Sequence, residues 1–187
     1  MRAQVLAGGF ADAPVDAAHA FRAAMGAMAR PGRIHDIAGA QPPAPLSVAA
    51  GTLLLTLCDP GTPVHLAGAH DRAEVRDWLT FHTGAPVAGP ADCAFALGTW
   101  DALGPLSAYP IGTADYPDRS ATLIVEMAAL RSEGTTLRGP GIRDMAALNL
   151  PDAAAFHMNS ALYPLGRDFF FTCGAQLAAL PRSTRIG

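Results

Sequence analysis

The sequence predicts an α/β protein in which helices flank a mixed sheet. Strand-like and helix-like segments alternate early in the chain and a hairpin pattern comes late, as expected for a sheet with both parallel and antiparallel neighbours. Half of the 187 residues are hydrophobic and 16% are charged, and about 70% of the surface of such a chain can be buried on folding. We therefore expect one domain over residues 1–187, with a core that needs no disulfide or metal.

The first predicted helix runs from Asp16, its expected N-cap, to Arg30. Phe21, Met25 and Met28 recur at spacings of four and three residues, so they share one face of this helix. A Pro-Gly pair directly after Arg30 ends the helix, because neither residue continues it well.

Two further helices are predicted in the first half of the chain. Ser47 is the expected cap of the second helix, whose leucines between positions 53 and 57 are apolar on nearly every side and should be buried. The third helix, from about His70 to Phe81, has charged residues on one side. Its apolar stripe consists of Val75, Trp78 and Leu79.

Short apolar segments of strand length separate and follow these helices. A fourth helix is opened by Pro151 and Asp152 and ends near Leu162. The last two strand segments are joined by a turn at Gly174 and predict a hairpin. The predicted extended segments are Ile34–Ile37, Pro63–Ala67, Ala94–Gly98, Ala121–Met127, one that ends at Leu137, Phe169–Cys173 and Gln176–Leu180.

All thirteen basic residues are arginine, so the sequence contains no lysine. A pyridoxal phosphate enzyme, a P-loop nucleotidase and a protein kinase each need a particular lysine, and the sequence therefore excludes all three classes. Anion binding stays possible, because the planar guanidinium group binds phosphates and carboxylates well.

Charge and cysteine spacing exclude further classes. The net charge of −3 lacks the basic excess that nucleic-acid binding requires. Cys58, Cys93 and Cys173 are widely spaced, which indicates free thiols instead of disulfides or metal ligands. His65 and His70 lack the spacing of a zinc motif. We expect no metal, no cofactor and no nucleic-acid partner.

The sequence predicts neither a secretion signal nor a membrane span. Residues 1–14 carry one arginine and a short apolar stretch that Gly8 and Gly9 interrupt, which matches a signal peptide poorly. The longest apolar run, Val48–Cys58, is too short to cross a bilayer. The expected location is the cytoplasm, with no membrane partner.

Polar residues at the ends of predicted elements are candidate ligand-binding residues. His82 and Thr83 close the third helix, where a histidine can act as an acid, a base or a cap. Asp59 follows the second helix, and Arg167 and Asp168 precede the hairpin. Binding sites and ordinary caps both occur at such positions, so both interpretations stay open.

The segment from Arg138 to Gly141 also has two interpretations. Its guanidinium group and the backbone N–H groups around Gly139 and Gly141 could hold a phosphate, although Pro140 removes one donor. Paired glycines mark a tight turn that ends a strand more often than they mark a phosphate site. The motifs GxSxG and GxGxxG are absent, and no catalytic residue is identified.

Nine segments carry a resemblance to a known family. In the first half they are Phe21-Arg22, Met28–Gly32, Thr52–Asp59, Thr62–Val64 and Phe81–Pro86. In the second half they are Ser120–Ile124, Leu137–Ile142, Pro164–Asp168 and Leu180–Thr184. Together they resemble the PhnH family, a component of the bacterial carbon-phosphorus lyase system, over nearly the whole chain.

The resemblance implies a three-layer α/β/α fold similar to the large domain of pyridoxal-phosphate-dependent transferases, without that cofactor, and a homodimer. It also implies a cytoplasmic assembly with the G, I and J subunits of the carbon-phosphorus lyase system. In that assembly a phosphonate such as methylphosphonate displaces adenine from ATP to give α-D-ribose 1-methylphosphonate 5-triphosphate. Because the nucleosidase step is usually placed on the I subunit, the resemblance implies an organising component with no settled catalytic residue.

Two hypotheses about function therefore stay open. In the first, the chain is a noncatalytic, dimeric member of the synthase assembly, contacting ATP or phosphonate within the complex if at all. In the second, it is a free-standing enzyme or binder that holds a phosphate or nucleotide with Arg30, His82, Arg138 and Arg167.

Three adjacent phenylalanines are the basis of the dimer prediction from the residues themselves. Phe169, Phe170 and Phe171 place an apolar side chain on both faces of one strand. Either one face is core and the other is a dimer interface, or helices of the same chain bury both faces.

Overall fold

The computed structural model describes residues 7–187, so the prediction for residues 1–14 falls in part outside the described residues. The helices are α1 (Ala13–Ala29), α2 (Val48–Leu57), α3 (Ala73–Thr83), α4 (Trp100–Leu103) and α5 (Ala153–Ser160). The strands are β1 (His35–Asp36), β2 (Val64–Leu66), β3 (Phe95–Thr99), β4 (Thr122–Glu126), β5 (Thr135–Arg138), β6 (Ala146–Leu148), β7 (Asp168–Cys173), β8 (Gln176–Leu180) and β9 (Arg185–Ile186).

Among residues 7–187, the main sheet has six strands in the order β1-β8-β7-β4-β3-β2. Strands β2, β3, β4 and β7 run parallel to one another, β8 pairs antiparallel with β7, and β1 pairs antiparallel with β8. Phe169 pairs with Leu180 and Cys173 with Gln176, which confirms the predicted hairpin. The prediction of an α/β fold with a mixed sheet and helices is confirmed.

The side chains of the sheet alternate between two separate core clusters. Ile124 and Phe170 belong to the cluster that also contains buried residues of α1, α2 and α3. Leu123 and Phe169 belong to the cluster on the opposite face, which α4, α5 and the short strands β5 and β6 complete. This two-residue alternation is the geometry that a sheet buried on both faces requires.

The three adjacent phenylalanines lie in a central strand, because β7 is hydrogen-bonded between β4 and β8. Phe169 and Phe171 are fully buried and Phe170 is 4% exposed. Phe156 of α5 packs edge-on against Phe169 and Phe171, with ring centroids 4.8 and 5.6 Å apart. The prediction that one face of this strand forms a dimer interface is therefore wrong; the chain's own layers cover both faces.

Helix α1 begins earlier than predicted, and two of its large apolar residues, Phe21 and Met25, point outward, whereas Met28 is partly buried against the core. Its N-cap position is Asp12, not Asp16, whose carboxylate instead accepts the Asp12 N–H at 3.0 Å. Small residues on the inner face, chiefly Ala20, Ala24 and Ala27, allow close packing against the sheet. Phe21 and Met25 are about half exposed on the other side of the helix.

The structure confirms the predicted cap of α2 and the buried stripe of α3. The Ser47 hydroxyl oxygen accepts the Ala50 N–H at 3.1 Å, which satisfies one of the free donors at the helix start. Val75, Trp78 and Leu79 are fully buried. Helix α3 begins at Ala73, not His70, because residues 68–70 form a 3₁₀ turn and the backbone is extended at residue 72.

A second sheet, in the order β6-β5-β9, was not predicted beyond the strand that ends near Leu137. Leu137 pairs with Ala146 on one side and Ile186 on the other. Within residues 7–187, none of the helices has the length and apolar character that crossing a bilayer requires.

Candidate ligand-binding site

The structure places the predicted site residues at the ends of different elements. Arg30 follows α1, Asp59 follows α2, and His82 and Thr83 belong to the last turn of α3. The remaining five lie at the end of β5 and at the start of β7: Arg138, Gly139, Gly141, Arg167 and Asp168. Each group therefore has to be assessed from its own contacts.

Asp59 and Thr83 stabilise the local chain. An Asp59 carboxylate oxygen accepts the Gly61 N–H at 2.8 Å, the pattern of an Asx turn. The Thr83 hydroxyl donates to the Leu79 carbonyl at 2.7 Å and accepts the Ala85 N–H at 3.0 Å. Both side chains thus satisfy backbone groups next to a helix end.

His82 lies in an aromatic setting. Its ring centroid is 5.2 Å from that of Trp78 and 4.9 Å from that of Phe81. Gly9 approaches the ring so closely that a Cβ there would lie 2.5 Å from Cε1 of His82. These contacts pack the ring between α3 and the segment before α1.

The segment from Arg138 to Gly141 forms a tight turn between two other parts of the chain. Gly141 has a φ of +80°, and a Cβ there would overlap the Ala29 carbonyl oxygen. Gly139 has a φ of +131° and lies against the backbone of residues 183–185. Arg138 is exposed and donates to the Asp144 carbonyl at 3.3 Å. Close backbone packing therefore explains both glycines.

Gly139 also lines a cleft of about 530 Å³ beside α5. Arg182 and Arg185 give this cleft a positive side, and Ser160, Ser183 and Tyr163 supply hydroxyl groups. The Arg182 guanidinium is already paired with a carboxylate, so Arg185, which is exposed, is the cation left to attract an anion. An exposed arginine is well solvated, which makes this cleft the weaker candidate.

Asp168 is the partner of Arg182. The Arg182 Nε donates to both carboxylate oxygens, at 3.1 and 3.2 Å, and its Nη2 donates to Oδ2 at 2.5 Å. The same guanidinium donates to the Pro117 carbonyl and the Ser120 hydroxyl. This network ties the hairpin to the segment before β4, so Asp168 has a structural role.

Arg167 differs from Asp168 in having no charged partner. It is 5% exposed, and its Nε and Nη2 donate to one acceptor, the Tyr109 carbonyl, at 3.1 and 2.5 Å. Across residues 7–187, no carboxylate lies within 4 Å of its nitrogens. Burial lowers the pKa of the Arg167 guanidinium, because desolvation disfavours the charged form.

Two neighbours hold Arg167 in place. The Asn159 side chain of α5 accepts the backbone N–H of Arg167 at 3.0 Å and donates to the backbone carbonyl of Arg167 at 2.9 Å. The Tyr109 hydroxyl donates to the Leu103 carbonyl at 2.7 Å, which fixes the loop whose carbonyl Arg167 binds. The backbone of Arg167 is therefore held by α5, and its guanidinium is held by the loop after α4.

Arg167 lines a cavity of about 500 Å³ between α5 and the loop after α4. Most of the wall is apolar, and the Trp100 indole packs on the Phe156 ring with centroids 4.8 Å apart. The other lining residues are Gly104, Pro105, Leu106, Ser107, Asp152, Ala155, Met158, Asn159 and Leu162. A buried cation in an apolar cavity of this volume is the strongest candidate site in the part of the chain that the structure describes.

Sequence reasoning missed a polar cluster at the carboxyl end of the parallel strands. Glu126 accepts the Ser47 N–H at 2.7 Å and the Thr172 hydroxyl at 3.0 Å. His70 is 4% exposed, and burial lowers its pKa, although the Glu126 carboxylate opposes that shift. Ligands often bind at this edge in α/β proteins. Here the Glu126 carboxylate is already occupied, because it accepts the Ser47 N–H at the start of α2.

Within residues 7–187, no group of three or more His, Cys, Asp or Glu side chains is arranged to hold a metal ion. Burial raises the pKa of Cys58 to about 12 and of Cys93 to about 11. These thiols stay protonated near neutral pH, so they are poor nucleophiles and poor metal ligands.

Comparison with known proteins gives consistent matches along nearly the full length. The family described as "Bacterial phosphonate metabolism protein (PhnH)" matches residues 8–187. The chain is 39% identical to the "Alpha-D-ribose 1-methylphosphonate 5-triphosphate synthase subunit PhnH" of Rhizobium meliloti (strain 1021) over 194 residues, covering 99% of this chain and 97% of the relative. It is 30% identical to the "Putative C-P lyase subunit protein HtxG" of Stutzerimonas stutzeri, covering 95% and 94%.

Proposed function

The chain belongs to the PhnH family of bacterial phosphonate metabolism proteins, and we propose that it is a subunit of a carbon-phosphorus lyase assembly. In this role it is needed to form α-D-ribose 1-methylphosphonate 5-triphosphate from ATP and methylphosphonate. The observation that carries the proposal is the 39% identity, nearly end to end, to a relative named as a subunit of that synthase. The name of the second relative refers to the same type of assembly.

The role within the assembly is organisation, not catalysis. Asp168 is neutralised by Arg182, one Asp59 carboxylate oxygen accepts the Gly61 N–H, and the Thr83 hydroxyl accepts the Ala85 N–H. Two of the three cysteine thiols have raised pKa values. A nucleophile needs an adjacent base to activate it, and these groups are engaged in holding the fold instead.

The proposed partners are the G, I and J subunits of the cytoplasmic assembly, with the whole of residues 1–187 acting as one domain. The proposed fold relationship is to the large domain of pyridoxal-phosphate-dependent transferases. The absence of lysine from the sequence supports a version of that fold without the cofactor, since the Schiff base has no amine.

A second copy of the chain is also a proposed partner. With the β7 phenylalanines buried, we place the contact on the outward face of α1, where Phe21 and Met25 are 50% and 54% exposed one helical turn apart. Sedimentation velocity should then show a dimer that Phe21→Glu dissociates. Phe81→Glu is the matched control, because Phe81 is similarly exposed but lies on α3. A monomer at every concentration would contradict this contact.

Co-expression with tagged G, I and J subunits tests the main proposal. The chain should co-purify with them, and cells lacking it should regain growth on methylphosphonate when it is supplied. Failure of the chain to join any of these three proteins would contradict membership of the assembly. Release of adenine from ATP and methylphosphonate by the isolated chain would contradict the organising role.

A further inference from the structure

The buried Arg167 beside an apolar cavity is a feature that an organising role does not explain. Moving a guanidinium out of water is unfavourable unless a negative charge or a full set of hydrogen bonds replaces the lost hydration. Arg167 has one neutral carbonyl as its acceptor, and within residues 7–187 its Nη1 donates no hydrogen bond and is not one of the fully buried polar atoms, so this nitrogen is open to solvent or to a ligand. The charge is thus only partly compensated by the chain.

A bound anion would supply the missing compensation. Charge-assisted hydrogen bonds are roughly twice as strong as neutral ones, and the fork of a guanidinium suits the oxygens of a phosphonate, phosphate or carboxylate. The surrounding wall has low polarity, which strengthens that attraction further. Asp152 also lines the cavity, but its carboxylate caps α5 by accepting the Ala155 N–H at 3.0 Å and forms no ion pair with Arg167.

The rest of the cavity wall is mostly apolar and therefore determines which chemical group must accompany the oxyanion of the ligand. Trp100, Leu106, Met158 and Leu162 offer an indole face and aliphatic surface, and the cavity volume of about 500 Å³ exceeds that of a bare inorganic anion. An inorganic ion would leave this apolar surface uncovered. A ligand with an oxyanion head and an apolar body would bury it and gain the hydrophobic contribution as well.

We propose that the cavity lined by Arg167 and Trp100 is a binding site for a small organic anion, with the oxyanion head at Arg167 and the apolar body against Trp100. The site rests on the cavity alone and goes beyond the proposed subunit role. A chain that joined no assembly would still bind such a ligand.

A purely structural role for Arg167 is the competing explanation. By holding the Tyr109 carbonyl, the guanidinium could simply fix the loop after α4. That role predicts that losing Arg167 destabilises the chain while added anions change nothing. A test therefore needs a variant that closes the cavity and leaves Arg167 in place.

Ala155→Leu is that variant, and Ala154→Leu is its matched control. Ala155 lines the cavity, whereas Ala154 is exposed on the same helix, so both changes keep helix propensity and differ in the space they fill. Binding to the full-length chain is measured by calorimetry and by tryptophan fluorescence. Trp100 lines the cavity and the other tryptophan, Trp78, lies in the opposite core cluster, so Trp100→Phe should abolish only the fluorescence response.

The probes are phenylphosphonate and benzoate, with benzyl alcohol as the neutral analogue and inorganic phosphate as the anion without an apolar body. At least one of the two organic anions should bind ten times more tightly than either control compound, and comparing them identifies the preferred head group. Ala155→Leu should weaken that binding at least tenfold and Ala154→Leu less than twofold. Arg167→Met should weaken binding of the anion but not of benzyl alcohol.

Two results would overturn the proposal. One is the absence of saturable binding of either organic anion to the folded chain at millimolar concentration. The other is equal affinity of the Ala155→Leu and Ala154→Leu variants, with circular dichroism showing both to be folded. Failure to co-purify with the G, I and J subunits would leave this test unaffected, so the two proposals fail separately.

Discussion

The ion pair between Arg182 and Asp168 should be among the polar contacts that stabilise this fold most. One guanidinium binds the carboxylate at the start of β7, the Pro117 carbonyl and the Ser120 hydroxyl. It therefore joins three segments that are far apart in sequence. Arg182→Met removes all of these guanidinium contacts and replaces arginine with an unbranched apolar side chain that still fills part of the same space.

The structure sets the size of the expected effect. Breaking a fully buried ion pair costs about 3–5 kcal/mol, because the remaining charge is left without a partner. The side chains of Arg182 and Asp168 are 14% and 24% exposed, so water can solvate the remaining carboxylate in part. We therefore expect Arg182→Met to lower the free energy of unfolding by about 2–4 kcal/mol. For a chain of this length the melting temperature should fall by roughly 5–15 °C.

Thermal and urea unfolding, followed by circular dichroism, measure this loss. The matched control is Arg76→Met, since Arg76 and Asp71 also form a two-contact pair but are 49% and 36% exposed. Exposed pairs contribute little, so the control should change the melting temperature only slightly. Equal losses in the two variants would refute the argument from burial.

Three further predictions concern the turn at Gly141, His70 and the thiols. Gly141→Ala should lower the melting temperature more than Gly174→Ala. Both positions have a positive φ, but of the two only Gly141 has neighbouring atoms within 4 Å of an added Cβ. Equal shifts of the melting temperature would contradict this prediction. Burial lowers the pKa of His70, so its contribution to stability is complete above the unfolded pKa of about 6.5 and is lost as pH falls towards the lower folded pKa. His70→Gln should flatten the loss of stability below about pH 6.5, measured by urea unfolding; an unchanged slope would contradict the assignment. Iodoacetamide should label Cys173, which is half-buried, before Cys58, because burial raises the pKa of the Cys58 thiol to about 12. Mass spectrometry would show the order of labelling, and labelling of Cys58 first would contradict the prediction.

The elements that the sequence predicts correctly are those that depend on residues close together in the chain. Ser47 caps α2, the stripe of α3 is buried, and the hairpin at Gly174 pairs as expected. The N-cap of α1 was misplaced because two acidic residues four positions apart compete for that assignment. Pro14 near the first helical turn was the signal that favoured the earlier start at Asp12.

Contacts between distant segments could not be predicted in this way. Strands β6 and β9 have three and two residues, too few to show any periodicity, and they become strands because β5 pairs with both. The environment of Arg167 likewise depends on Tyr109, which lies 58 positions earlier in the chain. No local pattern contains that information.

Arg167 and Asp168 show why adjacent residues of one predicted motif need separate assessment. At sequence level both are polar residues before a strand, and both fit a binding site equally well. In the structure the charge of Asp168 is neutralised by Arg182. Arg167, in contrast, is only 5% exposed, the other arginines of residues 7–187 are more exposed, and it has no carboxylate partner in this part of the chain. Exposed arginines such as Arg138 are compensated by water and gain little from a ligand. A ligand anion therefore gains most at Arg167, and this difference in burial separates the candidate binding residue from the structural ones.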